Sequence, residues 1–153
     1  MPFRFHPAAR IMASALIVAA PPALAAATPT DACAVLTSAQ VTSAVGTSVG
    51  AGTYVTPTFT QTCTWTASGM IVTLNIQSMT MFNAGKGAIA SAENTPASGV
   101  GDEAYYFGAG STVSLIVSKN GAAFKVSVYS SKLSLDQRKA AEMTLAQQAA
   151  SKF

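Results

Sequence analysis

Apolar and polar residues alternate from Met70 to Gln77, with Met70, Val72, Leu74 and Ile76 on one side and Thr73, Asn75 and Gln77 on the other. A period of two with one apolar face marks a half-buried strand. The pattern recurs from Gln61 to Thr66, where Cys63 and Trp65 share a face opposite Thr62, Thr64 and Thr66. It returns in Ser111 to Lys119 and Ala122 to Ser130, which flank Asn120-Gly121. That dipeptide favours a type I′ turn, and a two-residue turn fixes register. The turn sets Val117 against Phe124, Leu115 against Val126 and Val113 against Val128. On the other face it sets Ser118 against Ala123 and Ser114 against Ser127. Every pair on the first face is apolar against apolar, so turn and pattern agree.

Weaker patterns fill the gaps. Thr53 to Phe59 is strand-like, but Pro57 restricts it to an edge. Glu103 to Phe107 predicts another strand, and Glu93 to Gly101, with Pro96, predicts a loop. Helical signals appear in three places. Thr37 to Val45 opens with a capping box, Thr37 and Gln40, and ends at Gly46. Met81 to Ala92 carries Phe82 and Ile89 on one stripe, weakened by Gly85 and Gly87. Leu135 to about Ser151 is capped by Ser134 and Gln137, with Ala141, Leu145 and Ala149 facing inward. The order is α-βββ-α-βββ-α. It predicts an α+β fold: an antiparallel sheet of about six strands with helices packed on one face.

The first 27 residues read differently. Arg4 and Arg10 precede an apolar run, Ile11 to Ala20, then Pro21-Pro22 and small residues to Ala27. This is the pattern of a cleavable export signal, with cleavage after Ala25 or Ala27. The run is too short to span a bilayer. The expected organisation is therefore residues 1–27 as signal peptide and 28–153 as a single domain.

Removing the leader changes the chemistry. The chain has nine Lys+Arg and six Asp+Glu, net +3. Without Arg4 and Arg10 the domain has seven and six, net +1. No basic patch remains to suggest nucleic acid, and nothing remains to anchor the domain in a membrane. The one histidine, His6, also leaves, and with it any Ser-His-Asp or Cys-His nucleophile and any His-ligated zinc. No cofactor or metal motif is present.

Two cysteines remain, Cys33 and Cys63, expected to form a disulfide outside the cytoplasm. Asp102, Tyr105 and Tyr106 are the candidate ligand or partner contacts. Asp102 follows a glycine loop, where an Asp commonly hydrogen-bonds turn backbone instead. In the run Tyr105-Tyr106-Phe107 at least one ring must point away from the core, and an exposed tyrosine supports recognition. Trp65 reads as core.

Asp31-Ala32-Cys33, Leu36-Thr37, Cys63-Thr64-Trp65 and Gly99-Val100-Gly101-Asp102-Glu103-Ala104-Tyr105 occur in that order. An Asn-Gly hairpin before Ala-Phe-Lys-Val and an alanine-rich last helix follow. Together they resemble the small exported proteins and lipoproteins of the domain of unknown function 3558 family. This chain lacks the lipobox cysteine of the lipoprotein members. The resemblance implies a periplasmic, envelope or secreted address and transfers no activity and no functional residue. The expected function is a non-catalytic binding or interaction domain. The alternatives are a small inhibitor or immunity-type factor, and an enzyme working through Asp102, Glu103 and Lys125.

Overall fold

The computed structural model describes residues 27–87, 94–109 and 112–153. The leader pattern lies outside them, as does the second half of the helix expected over Met81 to Ala92.

A short 3-10 turn, Ala32–Ala34, leads into helix α1 (Ser38–Val45). Thr37 and Gln40 form the expected capping box, and Gly46 closes the helix at φ 69°. Three strands follow: β1 (Thr53–Tyr54), β2 (Thr62–Ala67) and β3 (Met70–Gln77). Helix α2 (Met79–Gly87) precedes four more: β4 (Asn94–Ala97), β5 (Glu103–Phe107), β6 (Ser114–Lys119) and β7 (Ala122–Ser130). Helix α3 (Leu135–Ala150) ends the fold, with the second capping box in place at Ser134 and Gln137.

The seven strands form one antiparallel sheet in the order β1-β2-β3-β7-β6-β5-β4. Two meanders thus join along their last strands, β3 and β7. The α+β class holds. The strand count exceeds six because Asn94–Ala97, read as loop, pairs with β5. Pro96 is tolerated there because an edge strand leaves one side of its backbone unpaired. At the opposite edge, β1 stops at Tyr54, before Pro57.

The hairpin register is as expected for Leu115↔Val126, Val117↔Phe124 and Ser118↔Ala123. Val113 lies outside β6 and makes no rung with Val128. Ser114 and Ser127 meet through their side chains, with their hydroxyl oxygens 2.7 Å apart.

The main core lies between one sheet face and helices α1 and α3. Trp65, Phe124, Leu36, Leu74, Leu115 and Leu145 are its largest fully buried apolar side chains. The last residue, Phe153, stacks on Phe124 with ring centroids 4.7 Å apart. The expectation that all helices share this face is corrected. Helix α2 sits on the other face, where Phe82 packs with Tyr105, Ile116 and Ala123 in a second, smaller cluster. Ile116 and Ala123 alternate with main-core residues along β6 and β7, so an apolar patch on the supposedly polar face draws a helix to it. Gly85 belongs to this packing. A Cβ there would stand 2.5 Å from the Tyr105 hydroxyl oxygen.

Candidate functional site

Asp102 lies beside the β6–β7 turn. Its carboxylate accepts from the Asn120 backbone N–H and from Lys119 Nζ, both at 2.7 Å. Those two donors hold its carboxyl below the usual range. On the turn's other side the Asn120 side-chain amide donates to the Phe153 carbonyl at 2.8 Å. Asp102 thus fastens the turn whose Asn120 adopts φ 49°.

Tyr105 is 5% exposed. It does turn away from the main core, but into the second cluster. Its hydroxyl donates to the Phe82 carbonyl at 2.8 Å, and burial raises its pKa. Tyr106 faces the main core, and its hydroxyl donates to the Lys139 carbonyl at 3.1 Å. Lys139 Nζ lies 4.9 Å from the same ring's centroid. The expected exposed tyrosine of this run is therefore corrected: the exposed ring is Phe107. A cavity beside Tyr105 measures about 80 Å³, small against the 300–1,000 Å³ typical of ligand sites.

The groups of the carboxylate-dependent alternative have separate partners. Asp102 pairs with Lys119 and Glu103 with Lys86, both at exposed positions. Neither pairs with Lys125. Among the described residues no three His, Cys, Asp or Glu side chains gather as metal ligands do.

Cys33 and Cys63 form the expected disulfide, with Cα atoms 4.9 Å apart. It ties the 3-10 turn to β2 beside buried Trp65. Among the described residues no helix is long and apolar enough to cross a membrane.

A different surface emerges from the way α2 sits. It packs on β6 and β7, so among the described residues the same face of β1, β2 and β3 carries no helix. Strand pairing places Thr53, Thr64 and Thr73 in one row across it, continued on β7 by the buried Ser127. A second row contains Thr66, Ile71 and Tyr129, and a third Thr62, Asn75 and Lys125. Ile71 and Tyr129 are direct cross-strand partners and are exposed. At their end an open depression of about 640 Å³ is bordered by Thr66, Ile71, Thr112, Tyr129 and Ser131. Among the described residues, Thr64, Thr66, Thr73 and Tyr129 make no side-chain hydroxyl hydrogen bond. Lys125 likewise has no ion-pair partner among them.

The alternation in the sequence already put these threonines on the polar side of their strands. What it lacked was the position of α2, which decides how much of that side stays open.

No family model, curated protein or solved structure matches the chain.

Proposed function

We propose that this protein is an exported, non-catalytic binding domain that recognises a component of the cell envelope or its surroundings through the helix-free face of β1–β3. One observation carries the reading. That face presents the hydroxyls of Thr64, Thr66 and Thr73, unpaired among the described residues, beside the exposed Ile71–Tyr129 pair. Convergent polar groups next to exposed aromatic surface are what a recognition site needs.

Export is supported by the leader pattern and by the disulfide, which persists in oxidising compartments. Such a domain uses a rigid sheet as a platform and needs no reactive group. The absence of histidine after residue 6 agrees with that.

The experiment is co-sedimentation of the purified domain with a washed cell-envelope fraction. The domain is expected to be retained. Ile71→Glu and Thr73→Glu are expected to abolish retention, whereas Ser43→Lys, on the exposed side of α1, leaves it intact. No retention of the unsubstituted protein, or equal retention of all variants, would overturn the reading.

A further inference from the structure

We propose that the open sheet face of β1–β3, together with the adjoining β7 positions Tyr129 and Lys125, binds a short acidic oligosaccharide, with one sugar ring on Tyr129 and a carboxylate at Lys125. This rests on the reading of that face as a recognition surface and names its ligand class.

The first argument is hydrogen bonding. Thr64, Thr66 and Thr73 project neutral hydroxyls that have no partner among the described residues. Hydroxyls both donate and accept, so they match a ligand that is itself rich in hydroxyls. An apolar peptide or acyl chain would leave them dehydrated and unpaired, which is costly.

The second is the aromatic ring. Tyr129 is 39% exposed and Ile71 is 46% exposed, side by side in the β3–β7 pairing. The C–H face of a pyranose packs on such a surface while its hydroxyls reach the polar groups around it. The adjoining depression of about 640 Å³ falls within the range of small-ligand sites.

The third is charge. Lys125 is the one charged side chain in the three rows of this face, and among the described residues no acid pairs with it. Glu103 shares the sheet face but lies on β5 and pairs with Lys86. The described face is therefore positive, and it complements a ligand that carries negative charge among its hydroxyls.

The fourth is span. Tyr129 and Lys125 lie four residues apart on one strand, roughly 13 Å. Both point to the same face, since their separation is even. A single sugar does not bridge that distance, but a short linear oligosaccharide does.

The test is titration calorimetry of the disulfide-intact domain with linear trimers of galacturonate, mannuronate and guluronate, each beside a neutral trimer of galactose or mannose. At least one uronate trimer is expected to bind, with affinity falling as salt rises. Lys125→Gln should weaken that trimer about tenfold and remove its advantage over the neutral one. Tyr129→Ala should weaken it about tenfold, and Thr73→Val severalfold. Ser43→Lys should change nothing. Equal thermal unfolding of the variants checks their folding. Failure of all three uronates, or binding untouched by both Lys125→Gln and Tyr129→Ala, overturns the proposal. If envelope material is still retained through Ile71 and Thr73 while the sugars fail, the ligand class is wrong and the recognition face stands. If neither binds, both fall.

Discussion

Glu142 Oε1 accepts a hydrogen bond from the Val128 backbone N–H at 2.9 Å, from helix α3 to strand β7. Val128 lies beyond the last β6–β7 rung, where the carboxyl supplies an acceptor the sheet does not. The side chain is fully buried, and its Oε2 has no hydrogen-bond partner among the described residues.

The first prediction follows from that burial. Desolvation pushes the Glu142 carboxyl up to about 8, against the opposing pull of the Val128 N–H, Arg138 and Lys139. The folded protein therefore holds a proton that the unfolded chain releases near 4.5. The stability this contributes is complete below that value, declines as pH rises, and is gone above about 8. Between pH 5 and 9 the expected loss is on the order of 2–4 kcal/mol. Glu142→Gln keeps the acceptor without the charge and should flatten the slope. Urea midpoints across pH test this; parallel profiles for both proteins would refute it.

A second prediction concerns the Cys33–Cys63 bridge, which closes a separation of 30 residues. Chain-entropy reasoning assigns it roughly 3.5 kcal/mol. Cys33→Ser with Cys63→Ser should lower the unfolding free energy by about that amount. Reduction of the unsubstituted protein should reproduce the shift in urea midpoint. A midpoint unchanged by reduction would contradict this.

Gly52 gives a third. A Cβ there would lie 2.7 Å from Cys63 Sγ and 2.8 Å from Trp65 Nε1. Both neighbours are buried, so neither yields easily. Gly52→Ala should cost about 1–3 kcal/mol. At Gly50 the nearest atom is the Thr66 carbonyl oxygen at 3.7 Å. Gly50→Ala should therefore stay within about 0.5 kcal/mol. Thermal or urea unfolding of the pair decides it, and equal costs would reject the packing argument.

The fourth concerns Asp102. Its carboxyl is held low by Lys119 and the Asn120 N–H. The stabilisation it gives is present above the ordinary carboxyl value of 3.8 and is lost as pH falls through the lower folded value. Asp102→Asn should speed hydrogen exchange at the Asn120 amide at neutral pH while leaving the β3–β7 pairing protected. Unchanged exchange at Asn120 would show that the turn holds without the carboxylate.

Local chemistry was written in the chain. Thr37–Gln40 and Ser134–Gln137 cap their helices, and Asn120-Gly121 turns the hairpin, because each involves residues within three or four positions of one another. The alternation from Met70 to Gln77 likewise assigned its buried face, since a strand's side chains alternate regardless of what covers them. The same reasoning required at least one ring of Tyr105-Tyr106-Phe107 to leave the core, but it could not say which, nor what that ring would meet.

Which partners lie across a gap was settled only in three dimensions. Helix α2 goes to the second face because Phe82 finds Ile116 and Ala123 there, residues more than thirty positions away. That choice buries Tyr105 and, among the described residues, leaves the face of β1–β3 without a helix, while the β3–β7 pairing sets Tyr129 and Lys125 beside its hydroxyl rows. Short-range hydrogen bonding and side-chain period belong to the sequence. The covering of a face belongs to long-range packing, where apolar area is buried wherever the whole fold can bring it together.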